Sequence, residues 1–321
     1  MSAVAFRTAV RDALDEELAA DERVILFGED VAVAGGVFAT TPGLHEKYGA
    51  SRVFDTPISE LALAGAAFGS AVTGLRPVIE IMFGDFLTLA MDMLVNQASK
   101  YRFLTQEQVS VPLVIRSVVG AGGRFGAIHS QMPASWFMGV PGLKIVAPST
   151  PADAKALLKA AIRDDNPVLF FEHKRLYGLE GEVDGAVGRL GEAAVVREGS
   201  DVTIVSAMKS VHDAVEAAER LEQDRVSAEV IDLRTLVPLD METVLASVRK
   251  TGRVVVAAQA ILTNSFVNEI VARIQAEAFD DLDGPVGRVG AAPGISPQAE
   301  ALEKAFLPTP ADIVAAVTAI V

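Results

Sequence analysis

KIVAPSTPADAKALLKAAIRDDNPVLFFEH, residues 144–173, decides the fold. KIVAPS (144–149) and PVLFFEH (167–173) are strand-like, and PADAKALLKAAIRDD (151–165) between them has helical spacing. Pro151 falls at a first helical position, where its fixed φ suits the helix and its missing N–H would have no intrahelical partner anyway. A strand, a helix and a second strand at such short spacing form a crossover unit, so the two strands run parallel.

The same alternation extends in both directions. RVILFGED (23–30), PVIEIMF (77–83) and PLVIRSV (112–118) read as further strands, and residues 87–103 read as a helix. A parallel sheet of this kind is covered by helices on both faces. LYGLEGEVDGAVGRLGE (176–192) is Gly-rich, acidic and weakly periodic, and reads as a connector. A second αβ series follows: SDVTIVSA, the helix VHDAVEAAERLE, the strand SAEVIDLR, the helix METVLASVRKTG, then RVVVAAQ, FVNEIVARIQAEAF and a helix after Pro310. The fold class expected is therefore α/β in two domains, each a mostly parallel sheet flanked by helices.

With 321 residues, of which half are apolar, the chain is long enough for two cores. Arg76 and Glu80 interrupt the most apolar stretch, so no membrane span is expected. The first residues, MSAVAFRTAVRDALDEEL, form a charged amphipathic helix pattern without an export signal, and a cytoplasmic location is expected. There is no cysteine, which removes disulfides, a thiol nucleophile and sulfur-ligated metal. A formal charge of −14 would repel a phosphate backbone, so no nucleic-acid partner is expected.

DTPISELALAGAAFG (55–69) places Glu60 before a helix with almost no polar face, which should be buried nearly all round. The bland account is a carboxylate favoured by the helix dipole, with Ser59 or Asp55 capping the end. The alternative is a carboxylate held in a dry site, able to share a proton with a ligand nitrogen. Of the four histidines, His129 stands out because it follows VVGAGGRFGAIHSQ, whose glycines keep the backbone mobile and let a substrate approach. His45, His173 and His212 read as structural. No G-x-G-x-x-G, P-loop or G-x-S-x-G pattern occurs.

GEDV (28–31), DTPISE (55–60), VTGLRPVIEIMFGDF (72–86), HSQ (129–131), PGLKIVAPSTPADAK (141–155), IRDDNPV (162–168), DLRTLVPLD (232–240) and LPTPADIV (307–314) run in order along the chain. Together they closely resemble the β subunit of the thiamine-diphosphate-dependent 2-oxo acid dehydrogenases, the first components of the pyruvate, branched-chain 2-oxo acid and acetoin complexes. The resemblance implies a pyrimidine-binding, transketolase-like domain at 1–185, a linker at 186–197 and a transketolase C-terminal-like domain at 198–321. It implies that Glu60 contacts the ring nitrogen of the cofactor's aminopyrimidine, in a site kept dry by the helix that follows. His129 matches a histidine credited with proton transfer during reductive acylation of lipoate, a task suited to an imidazole. Glu29 matches a glutamate of an acidic proton path, and Met82 and Phe86 match positions packed around the aminopyrimidine. Leu113, Ala161, Ile162, Asp164 and Asn166 match positions where some relatives hold potassium, largely through main-chain carbonyls.

Thiamine enzymes hold the diphosphate through Mg²⁺ with a G-D-G sequence, and none occurs here. The resemblance implies that an α subunit supplies that half, in an α₂β₂ heterotetramer that also works with a lipoyl-bearing acyltransferase. Three departures stand out: Met82 in place of a frequent glutamine, the residues after HSQ in HSQMPASWFMGVPG, and QAILTNSFVNEI (259–270) in place of an acidic, Gly-rich stretch. The expected function is decarboxylation of a 2-oxo acid and acyl transfer to lipoate. Acetoin cleavage, a noncatalytic assembly subunit and a two-subunit transketolase are the alternatives. Glu60 and His129 weigh against the assembly subunit, and the HSQ and LPTPADIV motifs against the transketolase.

Overall fold

A computed structural model describes residues 3–321. The chain divides into two compact units, Met1–Val119 with Trp136–Leu190, and Gly120–Ser135 with Gly191–Val321.

In the first unit, parallel strands lie in the order Lys144–Val146, Val168–His173, Val114–Val119, Arg76–Ile81, Val24–Gly28 and Val53–Asp55. The crossover read from residues 144–173 is present: the helix Pro151–Arg163 joins two neighbouring parallel strands. Its start is fixed by Thr150, whose side chain accepts the Asp153 N–H at 3.1 Å, with Pro151 in the first turn. The helix packs against Phe6–Ala20, which buries Phe6, Ala9, Val10, Ala13, Leu14 and Leu18, a stripe at three- and four-residue spacing.

The expected helix at 87–103 is less regular. A 3-10 segment, Gly84–Ala90, leads to a π-helical turn, Met93–Ala98, and an α-helical end, Ser99–Leu104. Gly142, at φ +90°, sits against the start of that α-helical end, and a Cβ there would overlap the Ser99 carbonyl oxygen. Gly142→Ala should therefore lower stability by more than about 2 kcal/mol, measured as the urea midpoint at unchanged m-value. A change under about 0.5 kcal/mol would contradict that packing.

The helix Glu60–Val72 departs from expectation. Leu63, Ala64, Ala67 and Ala71 are buried, but Ala62 and Ala66 are exposed and Leu61 is 49 % exposed. The reason is geometric: the unit covers one face of this helix, so apolarity all round does not become burial all round within one chain. The connector after Leu176 also gains structure, since Glu180–Glu182 pairs antiparallel with Ala3–Ala5.

The second unit has the strand order Gly287–Ala291, Val254–Ile261, Val202–Ser206, Ala228–Asp232 and Ala194–Arg197. The first four are parallel, and Ala194–Arg197 closes the edge antiparallel. Ala214, Ala217, Ala218 and Leu221 from Lys209–Gln223 and Ile313 and Val317 from Pro310–Thr318 join the strand residues in one core.

Candidate active site

Three strands of the first unit end side by side, with Val24–Gly28 between Val53–Asp55 and Arg76–Ile81. The loop after each carries one motif: Glu29, then Asp55–Glu60, then Met82–Phe86. Beyond the carboxyl ends of parallel strands lies the usual ligand crevice of such sheets. A Cβ on Gly28 would stand 2.7 Å from the Glu80 carbonyl oxygen, so the strands approach closely only because that residue is glycine. Two bonds lace the first two loops together: Thr56 N–H donates to the Gly28 carbonyl at 2.9 Å, and Ala32 N–H to Asp55 Oδ1 at 2.7 Å.

Neither expected cap is made beside Glu60, which stands in the first turn of its helix. Asp55 is engaged with Ala32, and Ser59 makes no side-chain capping bond to the helix. Glu60 itself is only 8 % exposed. Glu29 is buried as well, and its Oε1 has no hydrogen-bond partner. Burial, then the charges of Glu60 and Asp30, raise the Glu29 pKa above its ordinary range. Half-buried Phe86 stacks edge-on to Phe83 at 5.9 Å, and half-buried Met82 precedes them. Two carboxylates in one another's field, an orphaned acceptor and an apolar wall suit a flat heteroaromatic ring with basic nitrogens.

The raised Glu29 pKa has a consequence for stability. A carboxyl whose folded pKa exceeds its unfolded value stabilises most below the unfolded value, and that contribution is lost as pH rises through the folded one. Glu29→Gln should accordingly raise the thermal midpoint at neutral pH but not in acid. Equal effects at both pH values would contradict the assignment.

Beneath these strand ends lies a charged row that sequence reading missed. Arg116 is 1 % exposed; its Nε and Nη2 donate to the two Glu172 oxygens at 2.7 and 2.9 Å, and its Nη1 to Glu80 Oε2 at 2.8 Å. The Tyr177 hydroxyl donates to Glu172 at 2.8 Å and Thr40 to Glu80 at 3.2 Å, so the row reaches the loop that carries Glu29. Glu80 Oε1 is buried without a partner. Burial, opposed by Arg116 and reinforced by Glu172, raises the Glu80 pKa. The sequence signal was a charge in each of three apolar strands, PVIEIMF, PLVIRSV and PVLFFEH.

His129 lies in the second unit, half-buried, within Gly120–Ser135. The loop before it is hydrogen-bonded: Gly120 N–H donates to the Gln131 carbonyl at 3.0 Å, and Glu303 and Gln259 accept from further loop amides. Among the other histidines, His45 Nδ1 pairs with the Val53 carbonyl at 2.7 Å, fully buried His173 accepts the Arg175 N–H at 3.2 Å, and His212 sits in Lys209–Gln223. The divergent stretch 259–270 forms the end of Val254–Ile261, a turn, and the helix Phe266–Glu277, capped by Ser265 onto Val267.

Leu113, Ala161, Ile162, Asp164 and Asn166 gather about one turn after Pro151–Arg163. The Leu113 carbonyl accepts Val168 N–H at 2.8 Å, and Ala161 accepts Asp164 N–H at 3.2 Å. Lys144 pairs with the Asp164 carboxylate, and Arg76 donates to the Arg163 and Asp164 carbonyls at 3.1 and 3.2 Å. Burial would raise the Asp164 pKa, but bonds from Lys144 and Asn166 hold it low. These oxygens are already engaged by backbone N–H groups, by the Arg76 guanidinium and by the Lys144 ammonium. Among the described residues, no three or more His, Asp or Glu side chains cluster as metal ligands.

Family models match both units: transketolase, pyrimidine binding domain, over residues 2–180, and transketolase, C-terminal domain, over 191–313. The chain is thus of transketolase type, with two α/β units. The 2-oxoisovalerate dehydrogenase subunit beta of Bacillus subtilis is 44 % identical, with 98 % of each chain covered. The acetoin:2,6-dichlorophenolindophenol oxidoreductase subunit beta of Cupriavidus necator is 45 % identical over 98 % of this chain and 96 % of its own. The pyruvate dehydrogenase E1 component subunit beta of Rhizobium meliloti is 44 % identical, over 100 % of this chain and 70 % of its own. A solved split-gene transketolase, an inactive beta4 tetramer, superposes with a TM-score of 0.81 at 26 % identity, over 99 % of this chain and 98 % of that one. The chain belongs to the β-subunit family of the thiamine-diphosphate-dependent 2-oxo acid dehydrogenases. No helix among the described residues is long and apolar enough to cross a membrane.

Proposed function

We propose that this chain is the β subunit of a 2-oxo acid dehydrogenase first component, that it decarboxylates a 2-oxo acid only with an α subunit, and that it passes the acyl group to lipoate on a partner acyltransferase. The observation that carries the reading is the buried Glu60 carboxylate beside Glu29 at the ends of adjacent parallel strands. Thiamine diphosphate, when bound, supplies a thiazolium carbon at which the 2-oxo acid loses CO₂. Glu60 would hold a proton at the aminopyrimidine ring nitrogen, its own burial limiting the access of water. Glu29, whose pKa is raised by burial and then by the charge of Glu60, is the second carboxyl that would take or return a proton there. Phe86 and Met82 orient the ring. His129 moves a proton during acylation of the lipoyl group.

The pyrimidine-binding domain is proposed at 1–185 and the C-terminal domain at 198–321, joined by a linker at 186–197. The α subunit would hold Mg²⁺ and the diphosphate in an α₂β₂ assembly, and the turn at 161–166 would accept potassium through main-chain oxygens. A cytoplasmic setting is part of the proposal. The test is co-expression with a G-D-G-bearing α subunit, followed by CO₂ release from pyruvate and branched-chain 2-oxo acids in potassium and in sodium buffers. Release from one of these acids supports the reading and names the complex. If the assembled complex binds cofactor, releases no CO₂ and cleaves acetoin, the 2-oxo acid reading is wrong.

A further inference from the structure

The segment Gly120–Ser135 carries His129, and its conformation is set by a residue far away in sequence. Glu303, in Glu300–Phe306, is only 4 % exposed. Its Oε1 accepts the N–H groups of Gly122 at 2.9 Å and Arg124 at 3.0 Å, and its Oε2 accepts Arg124 N–H at 3.1 Å. Beside it, Gln259 Oε1, near the end of Val254–Ile261, accepts Ala121 N–H at 2.9 Å. Amides of Ala121, Gly122 and Arg124 thus converge on two side chains of the second unit.

The backbone is shaped for this grip. Gly120, Gly122 and Gly126 have φ of +82°, +99° and +77°, and Arg124 has φ +58°. Left-handed residues interspersed with ordinary ones turn successive N–H groups to one side, a concavity that binds an anion. Arginine rarely adopts that conformation unaided, so a partner must hold it there. A buried carboxylate in turn requires donors, and bonds to an ionised acceptor are about twice as strong as neutral ones. Gly126 then lies against Gln298, 3.7 Å from where a Cβ would stand, which fixes the course of the chain three residues before His129.

We propose that Glu303 is a positioning residue for His129. Its carboxylate grips the Gly122 and Arg124 amides and so sets the reach of the imidazole toward the lipoyl group. The inference rests on the reading of His129 as the proton carrier of the acylation step. Decarboxylation, assigned to Glu60 in the first unit, does not depend on the grip.

The test uses the α-containing complex and the variants Glu303→Gln, Glu303→Ala, His129→Ala and the His129→Ala/Glu303→Ala double variant. Three quantities are read: CO₂ release coupled to a dye acceptor, acylation of the lipoyl-bearing acyltransferase, and hydrogen exchange at the 121–124 amides. Glu303→Ala should slow acylation roughly tenfold to a hundredfold, the scale of a displaced catalytic group, with dye-coupled turnover changed less than about threefold. Amide exchange at 121–124 should rise by about tenfold or more. Glu303→Gln, which keeps one acceptor oxygen, should fall between, and the double variant should be no slower than His129→Ala alone.

Equal losses in both rates, or an additive double variant, would overturn the proposal. Unchanged exchange in Glu303→Ala and Glu303→Gln would show that the grip itself is absent. Failure of the underlying reading looks different: His129→Ala would then acylate lipoate at the wild-type rate, whatever the Glu303 variants did.

Discussion

Glu60→Gln should abolish decarboxylation while leaving the protein folded and assembled. Loss of one positioned proton carrier lowers rate by about 10²–10⁴-fold, and an amide at this position can neither take nor return a proton at a ring nitrogen. The substitution keeps the size and shape of a buried side chain, so thermal stability should be retained. Dye-coupled turnover and the thermal midpoint of the assembled complex together decide the matter. A variant with more than about a tenth of wild-type turnover would mean that Glu60 is the structural first-turn carboxylate of the bland account.

Arg116→Met should be the most destabilising single change in the first unit. It removes the shared partner of Glu80 and Glu172, both buried, and breaking a buried pair by deleting one member costs about 3–5 kcal/mol. Burial already opposes ionisation of Glu80, and without the guanidinium only the Thr40 hydroxyl offsets the repulsion from Glu172. In the variant the Glu80 pKa would lie further above its unfolded value, so stability falls as pH rises through the folded value. Urea unfolding of the isolated chain should therefore show a deficit that is largest near about pH 8 and smaller near about pH 5. A pH-independent deficit under about 1 kcal/mol would contradict the network.

Much of the architecture was legible because it is local. The run 144–173 carries its strand, proline-started helix and strand within one crossover, and the structure repeats that order. The motifs around Glu29, Glu60 and Phe86 come together because parallel strands end on the same side, a rule of topology rather than of any residue. What escaped depends on distant partners or on weak patterns. Gly287–Ala291 (GRVGA) is a strand through pairing with Val254–Ile261, since two glycines in five residues give it little propensity of its own. The Arg116 row needed the register of three strands, and the grip of Glu303 on Gly122 spans a sequence separation of 181. The outward face of Glu60–Val72 misled for a related reason: composition reports that a helix is apolar, not which chain covers each side.

The most direct test of the central claim, that this chain holds only the aminopyrimidine half of the cofactor site, is calorimetric titration of thiamine diphosphate with Mg²⁺ into the isolated chain and into its complex with a G-D-G-bearing α subunit. The isolated chain should give no saturable binding, and the complex should bind at a stoichiometry of one cofactor per chain pair, more weakly when it carries Glu60→Gln. Tight, Mg²⁺-dependent binding by the isolated chain would contradict the claim, and so would binding by the complex that is indifferent to Glu60.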